Sequence, residues 1–239
     1  MLSKRTLIAL AVSLLTTPAL AQAPSAPAAA ANPHVKLHTP RGDIVVELYA
    51  GKAPITVRNF LHYVDTKRMD GATFYRSSTP PGDTAFDYGI LQGGVGTDPK
   101  KLYPPIAHES TAKTGLSHTD GTISMTRYAP GTATANFSIC VGDQTYLDAD
   151  PKDPKGKPGY AAFGRVVEGM DVVKKMLALP RDPNKGAGVM KGEMLKAPVP
   201  ILTARRVAWS PPASSAAPAA PAQPPAPTPA PTSAPSATQ

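Results

Sequence analysis

The sequence has little of three things: cysteine, aromatic residues and long apolar runs. Cys140 is the only cysteine among 239 residues, so no disulfide can form within the chain, and cysteine chemistry is not expected to be central. Phe, Tyr and Trp together make up 6% of the chain. The longest predominantly apolar run, Leu7–Leu15, has roughly half of the about 20 residues that a membrane-spanning helix needs. We therefore expect a mature protein without membrane insertion.

Motifs for metal, nucleotide and nucleophilic chemistry are also missing. The five histidines show no pairing at metal-ligand spacing, and the sequence has no C-x-x-C or H-E-x-x-H segment. The glycine cluster at residues 93–96 lacks the lysine and hydroxyl residue of a phosphate-binding loop, and no G-x-S-x-G elbow is present. We predict an activity that needs no metal, no cofactor and no covalent intermediate. The histidines are His34, His38, His62, His108 and His118.

Both ends of the chain have the composition of segments outside a folded core. Lys4 and Arg5, the apolar run and the sequence Ala19-Leu20-Ala21 are typical of a secretory signal peptide over residues 1–21, with an alternative cut two residues later. Residues 22–33 form an Ala/Pro-rich linker. Residues 210–239 contain 10 Pro and 10 Ala and no charged or aromatic residue, which predicts a disordered tail. Such a leader predicts a periplasmic or secreted protein.

Residues 34–209 are expected to form one folded domain. They hold 40 of the 42 charged residues, and their 176 residues suffice for one well-buried core. Removal of the two positive charges of the leader lowers the formal net charge from +8 to +6. Because this charge is spread without a Lys/Arg block, we predict no nucleic-acid binding. We also expect a monomer.

Short β-rich runs separated by turn residues dominate this domain. A turn at residues 40–42 predicts a hairpin between the first two runs. Apolar residues at helical spacing predict a helix that begins at Pro54, and a second helix over Met170–Leu179. The pattern indicates an antiparallel barrel or sandwich with helical caps. The predicted strands are Val35–Thr39, Asp43–Leu48, Thr73–Arg76, Ile90–Gln92, Thr122–Thr126, Phe137–Val141, Ala162–Val166 and Ile201–Val207.

A series of short segments follows in an order that is specific to one family. The segments are Thr39–Leu48, Ala53–Phe60, Tyr63-Val64, Asp70–Arg76, Gln92-Gly93-Gly94, Gly121–Met125, Asn136–Cys140, Tyr146-Leu147-Asp148 and Ala162–Met170. They resemble the cyclophilin-type peptidyl-prolyl cis/trans isomerases, in a bacterial exported form, over about residues 35–207. The resemblance implies a mainly β fold, an eight-stranded antiparallel cyclophilin-like β-barrel capped by two α-helices. This fold agrees with the strand pattern.

The chemistry that the resemblance implies is rotation about the X–Pro amide bond, which a resonance barrier of about 18–20 kcal/mol opposes. In the twisted transition state the proline nitrogen becomes pyramidal and accepts a hydrogen bond, so a fixed donor lowers the barrier. By resemblance, Arg76 is the catalytic donor and Gln92 holds the substrate carbonyl. Met125 and Leu147 match apolar walls of the proline pocket. The other implied substrate-binding positions are Ile90, Asn136, Ser138, Tyr146 and Tyr160.

Several of these positions depart from the family pattern. Ser138 takes the place of a phenylalanine that lines the pocket, and Gly89 takes the place of another. Asn136 stands at a glutamine position, Ile90 at a methionine, and Tyr146 and Tyr160 where tryptophan and histidine are common. The segment between Ser77 and Leu91 is longer than usual and carries Phe86 and Tyr88. Either ring is a candidate to refill the pocket.

Two functions from different classes follow. The first is a peptidyl-prolyl cis/trans isomerase that assists protein folding in the cell envelope and binds proline-containing polypeptides. The second is a degenerate domain that binds proline-containing segments as a holdase or scaffold with little turnover. The Pro/Ala-rich tail has two possible roles as well, a spacer to the envelope or an occupant of the domain's own site.

Overall fold

The computed structural model describes residues 31–153 and 155–210. The predicted signal peptide, the linker up to residue 30 and the Pro/Ala-rich tail from residue 211 lie outside the described residues. The predictions made for them therefore stay predictions.

Ten strands and three α-helices make up the described part of the chain. The strands are β1 (His34–Thr39), β2 (Gly42–Leu48), β3 (Thr73–Ser78), β4 (Gly89–Gly94), β5 (Thr122–Met125), β6 (Phe137–Val141), β7 (Ala161–Glu168), β8 (Arg181–Asp182), β9 (Met194–Pro200) and β10 (Thr203–Val207). The helices are α1 (Pro54–Asp65), α2 (Thr111–Thr114) and α3 (Met170–Leu177). The predicted hairpin is confirmed, since β1 pairs antiparallel with β2 from His34↔Glu47 to Thr39↔Gly42.

All ten strands belong to one antiparallel sheet with the order β10-β1-β2-β7-β5-β6-β4-β3-β9-β8. The mainly β, antiparallel class is as predicted, but the eight-stranded closed barrel is wrong: the sheet has ten strands and is not closed. β9 and β10 lie near opposite ends of this strand order, and the polypeptide connects them directly, since β9 is followed by β10 in the sequence. There the Ile201 N–H donates to the Ala72 carbonyl at 2.7 Å, and the Leu202 N–H donates to the His38 carbonyl at 2.8 Å.

The two strands that the sequence pattern missed are β8 and β9. β8 has only two residues, and β9 contains Pro198 and Pro200, which argue against a regular strand. Pro200 pairs with Thr73 at the last position of β9, and between the pairs Phe74↔Val199 and Arg76↔Met194 the pairing with β3 is interrupted. Pro198 lies in the unpaired excursion, where no backbone N–H is needed.

Helix α1 begins at Pro54, as predicted, and packs its apolar face on the sheet. Its preceding residue, Ala53, has no capping side chain. A distant carboxylate, Glu109, accepts instead from the Ile55 N–H, the Thr56 N–H at 2.8 Å and the Thr56 hydroxyl at 2.7 Å. This carboxylate satisfies N–H groups that the first helical turn leaves without a partner.

The core contains a cluster of four fully buried phenylalanines between α1 and the sheet. Phe137 meets Phe60 and Phe74 edge to face, with ring centroids 5.7 and 5.8 Å apart. Phe163 packs on Phe60 at 5.3 Å. These rings cover the inner face of the sheet, so the opposite face of the same strands is available for a site.

Two further observations concern the described residues alone. None of their helices has the length and apolar character needed to cross a membrane. No three of their His, Cys, Asp or Glu side chains come together in a group able to hold a metal ion.

Candidate functional site

A bulge in β3 turns Arg76 away from the core. Phe74 pairs with Gly93 and Arg76 pairs with Gln92, so one extra residue, Tyr75, lies between these two pairs. Strict alternation would place Arg76 on the same face as the buried Phe74. Because of the extra residue, Tyr75 and Arg76 both lie on the outer face, half-buried, and Ser77 returns to the interior.

Arg76 begins a row of paired residues across four strands. It lies opposite Gln92 of β4, which lies opposite Ser138 of β6, which lies opposite Ser124 of β5. Directly paired residues of neighbouring strands share one face of the sheet. The row therefore lies on the outer face of the sheet, where Gln92, Ser138 and Ser124 are themselves buried, and the core phenylalanines occupy the other face.

Hydrogen bonds hold the Arg76 guanidinium on two edges. Its Nη1 donates to Gln92 Oε1 at 2.7 Å, and Gln92 Nε2 donates to the Tyr75 hydroxyl oxygen at 2.8 Å. Its Nε and Nη2 both donate to Glu193 Oε2, at 2.8 and 2.6 Å. The other carboxylate oxygen, Glu193 Oε1, accepts from the Ser78 hydroxyl at 2.7 Å. Burial raises the pKa of Tyr75 above its usual value, which keeps this phenol neutral.

Sequence reasoning missed Glu193. The residue lies 117 positions from Arg76 and directly precedes β9, in a stretch without a recognisable motif. The structure brings it to the site because β9 pairs with β3, and the Ser77 N–H donates to the Glu193 carbonyl at 3.0 Å. No sequence signal points to this contact, since it depends on the pairing of two strands.

Arg76 can still donate to a substrate. A guanidinium has five N–H groups, and the contacts with Gln92 and Glu193 use three of them. One N–H on Nη1 and one on Nη2 are left, on a side chain that is 18% exposed. The arrangement offers a fixed donor without an adjacent acid–base pair, which suits the stabilisation of a lone pair rather than proton transfer.

Of the predicted pocket residues, Ser138 belongs to this row and Ile90 lies next to it. Ile90 of β4 lies opposite Cys140 of β6 and is half-buried. Ser138 is 7% exposed, so the position of the absent phenylalanine is covered by neighbouring groups. Cys140 is fully buried beside it, and this burial raises the pKa of its thiol to about 12.

The loops after β6 bring the remaining predicted residues near one another. Tyr146 and Leu147 lie in a short 3-10 turn, Thr145–Leu147, in which Tyr146 is 55% exposed. Tyr160 is tied to this turn, since its N–H donates to the Leu147 carbonyl at 2.9 Å. The Arg127 guanidinium covers the Tyr160 ring at 4.8 Å from the centroid.

Two predicted residues, Met125 and Asn136, make contacts other than those that the resemblance implies. Met125 pairs with Phe137 and is 1% exposed within the core, so the structure places it on the opposite side of the sheet from Arg76 and corrects its assignment as a pocket wall. The Asn136 amide is occupied by the Gly96 backbone: its Oδ1 accepts from the N–H at 2.9 Å and its Nδ2 donates to the carbonyl at 3.0 Å. Asn136 therefore fastens the glycine turn.

The longer segment before β4 contains one half-buried ring and one exposed ring. Phe86 is half-buried and packs against the core cluster. Tyr88 is 38% exposed and lies beside Gly142. Gly89, where the resemblance expects a phenylalanine, has φ +153°, and a Cβ there would lie 2.3 Å from the Ser78 carbonyl oxygen. The backbone at this position therefore excludes an aromatic side chain.

A buried chain of hydrogen bonds lies under the far end of the row. Ser124 Oγ is 2.8 Å from His118 Nε2, and His118 Nδ1 is 2.5 Å from Asp148 Oδ1. The arrangement is similar to a Ser-His-Asp triad, but Ser124 is 1% exposed and His118 is fully buried, so no substrate reaches the hydroxyl. Burial lowers the pKa of His118, while Asp148 opposes this shift. These hydrogen bonds connect β5 to the loop that carries Asp148.

Comparisons with known proteins agree with one another. The family model described as "Cyclophilin type peptidyl-prolyl cis-trans isomerase/CLD" matches residues 34–205. A peptidyl-prolyl cis-trans isomerase of Acinetobacter baylyi is 37% identical over 153 residues, which are 64% of this chain and 76% of the relative. Peptidyl-prolyl cis-trans isomerase B of Escherichia coli is 38% identical over 146 residues, 59% of this chain and 82% of the relative.

Solved structures share the fold. A cyclophilin type peptidyl-prolyl cis-trans isomerase of Cryptosporidium parvum has a TM-score of 0.57 at 18% identity, and the match covers 75% of this chain and 99% of that chain. The same protein in the presence of the dipeptide Ala-Pro has a TM-score of 0.56 at 19% identity, over 73% of this chain and 99% of that chain. At this identity the likeness shows the fold alone.

Proposed function

The chain belongs to the cyclophilin-type peptidyl-prolyl cis-trans isomerase family, and we propose that it assists the folding of proline-containing polypeptides in the cell envelope. Its activity is the interconversion of cis and trans X–Pro bonds. The observation that carries the assignment of the site is Arg76, a guanidinium held on the outer face with two N–H groups left for a substrate.

The transition state of this reaction differs from its ground state mainly at the proline nitrogen. In the planar amide the nitrogen lone pair is delocalised and accepts no hydrogen bond, whereas in the twisted form it is localised. The Arg76 guanidinium is a planar cationic group, and one N–H on Nη1 and one on Nη2 remain for the substrate. Its hydrogen bond is therefore stronger in the transition state than in the ground state, which is the condition for catalysis.

The barrier sets the size of the effect that the site has to supply. Uncatalysed X–Pro isomerisation takes tens to hundreds of seconds. Millisecond turnover requires a barrier lower by about 6 kcal/mol, since about 1.4 kcal/mol corresponds to a tenfold rate. One preorganised donor contributes about 2.7–4 kcal/mol in oxyanion-stabilising sites. Substrate held partly twisted against Ile90 and the aromatic bodies of Tyr146 and Tyr160 supplies the rest.

Location in the cell envelope is supported by the leader sequence. Lys4 and Arg5, the apolar run that follows and Ala19-Leu20-Ala21 have the order of a secretory signal. Polypeptides that fold after export contain X–Pro bonds in the wrong isomer, and these bonds are the proposed substrates. A fusion of residues 1–33 to a reporter that is active only outside the cytoplasm tests this location.

A protease-coupled assay on Ala-Pro peptides tests the assignment of Arg76. Arg76→Ala is expected to lower kcat/KM by about 100-fold because one preorganised donor is removed. Arg76→Lys is expected to lose most of this activity as well, because a point charge does not reproduce the guanidinium fork. The matched control is Arg206→Ala, which removes an exposed arginine in a similar carboxylate fork with Asp65. Full activity of folded Arg76→Ala would contradict the assignment.

A further inference from the structure

We propose that Glu193 is the positioning residue for Arg76 in the isomerase reaction. This inference rests on the proposed function of Arg76. It adds to the site a carboxylate from the other end of the domain, which neither the motifs nor the resemblance assigned.

Both edges of the guanidinium have separate partners. Gln92 accepts from Nη1, and Glu193 Oε2 accepts from Nε and Nη2 together, at 2.8 and 2.6 Å. An arginine side chain with one partner can rotate about its long axis, and contacts on two edges prevent this rotation. The guanidinium plane is therefore set before substrate binds, which lowers the entropy lost on reaching the transition state.

Glu193 is itself held from two sides. Its second oxygen, Oε1, accepts from the Ser78 hydroxyl at 2.7 Å, and its backbone carbonyl accepts from the Ser77 N–H at 3.0 Å. Ser77 and Ser78 directly follow Arg76 in β3. Arginine and carboxylate are thus fixed to the same short stretch of strand, so the pair moves as one unit.

The pair is largely shielded from solvent. The Arg76 and Glu193 side chains are 18% and 21% exposed, respectively. Removal of either partner would leave the other charge uncompensated and would lower stability. The test therefore uses variants that keep either the hydrogen bonds or the charge, and their effect is expected on kcat because the fork constrains the catalytic donor.

The contact pattern permits a test that separates geometry from charge. In Glu193→Gln the amide oxygen can replace Oε2 and accept both Arg76 hydrogen bonds, while the amide nitrogen donates to the Ser78 hydroxyl oxygen. Geometry is kept and the charge is lost. In Glu193→Asp the charge is kept, but the shorter side chain withdraws the carboxylate by about one carbon–carbon bond.

The kinetic expectation is opposite for the two variants. Glu193→Asp is expected to lower kcat by about tenfold or more with KM nearly unchanged, because a displacement of about 1 Å at a positioning group has effects of this size. Glu193→Gln is expected to keep at least about a third of kcat, since it rescues the geometry. The controls are Asp65→Glu, which alters the length of the carboxylate side chain in the opposite direction, and Asp65→Asn, which removes its charge, in the remote fork with Arg206. Both controls are expected to keep wild-type kinetics.

A spectroscopic measurement accompanies the kinetics. The Arg76 Nε–H signal in a nitrogen–proton correlation spectrum, assigned by its loss in Arg76→Lys, is expected to be protected from exchange in the wild type and in Glu193→Gln. In Glu193→Asp this protection is expected to fall by about tenfold, because the Nε hydrogen bond is lengthened. This readout does not depend on turnover.

The outcomes distinguish the role of Arg76 from the role of Glu193. An inactive wild type, or a folded Arg76→Ala with full activity, would overturn the role of Arg76. If Arg76→Ala is impaired while Glu193→Asp keeps full kcat, Glu193 is not a positioning residue and the function stands. If Glu193→Gln loses as much kcat as Glu193→Asp, charge rather than geometry is responsible, and the proposal is likewise overturned.

Discussion

Arg76 and Gln92 lie opposite each other in the β3–β4 ladder, and Arg76 Nη1 donates to Gln92 Oε1 at 2.7 Å. Gln92 Nε2 in turn donates to the Tyr75 hydroxyl oxygen at 2.8 Å. Because Tyr75 is the extra residue of the bulge, one local irregularity supplies both the orientation of the arginine and the anchor of its glutamine partner.

This relationship predicts that Tyr75 acts through Gln92. Gln92→Ala is expected to lower kcat/KM by about tenfold or more, since a hydrogen bond to a charged group contributes about 1.5–3 kcal/mol. Tyr75→Phe removes the acceptor for Gln92 Nε2 and is expected to have a smaller effect. The double variant is expected to match Gln92→Ala in the protease-coupled assay. Losses that add in full would show that the two residues act independently.

Gly89 is expected to be sensitive to the smallest enlargement. Its φ is +153°, and an added Cβ would lie 2.3 Å from the Ser78 carbonyl oxygen. Gly89→Ala is therefore predicted to lower the free energy of unfolding by about 1–3 kcal/mol, as measured by urea denaturation. Gly51→Ala is the control, because nothing lies within 4 Å of a Cβ there. Equal stability of the two variants would contradict the clash.

His118 is expected to make the folded state less stable in mild acid. Burial lowers its pKa below the ordinary value of 6.5 in the folded state, so the unfolded state binds the proton more readily. The contribution of the neutral ring to the free energy of unfolding is fully present above pH 6.5. It is lost as the pH falls from 6.5 through the lower folded pKa, by at most about 1.4 kcal/mol per pH unit. Urea denaturation of wild type and His118→Gln at a series of pH values isolates the pH-dependent contribution of His118 to the free energy of unfolding. A difference between the two that does not change with pH would contradict it.

Cys140 is expected to be unreactive in the native protein. The thiol is fully buried, and this burial raises its pKa to about 12, so almost no thiolate forms at pH 8. A chromogenic disulfide reagent is expected to modify one thiol per chain in denaturant and none within the same time in buffer. Rapid modification of the native protein would show that the outer face opens at β6.

The sequence by itself determined the local elements of this protein. A turn at residues 40–42 predicted the β1–β2 hairpin, and apolar residues at helical spacing predicted that α1 begins at Pro54. The ordered motifs identified the family, and through it Arg76 and Gln92, which the structure brings together. These features depend on neighbours within a few residues, or on the order of short segments, and both can be read along the chain.

Only the tertiary structure decided which side chains share a surface. Met125 was predicted to line the pocket, but its pairing with Phe137 places it in the core, on the opposite side of the sheet from Arg76. β9 carries two prolines that conceal its strand character, and Glu193 precedes it, 117 residues from its partner. The physical reason is the same in each case: strand pairing and a one-residue bulge decide which face a side chain takes, and neither is recorded in the spacing of the residues.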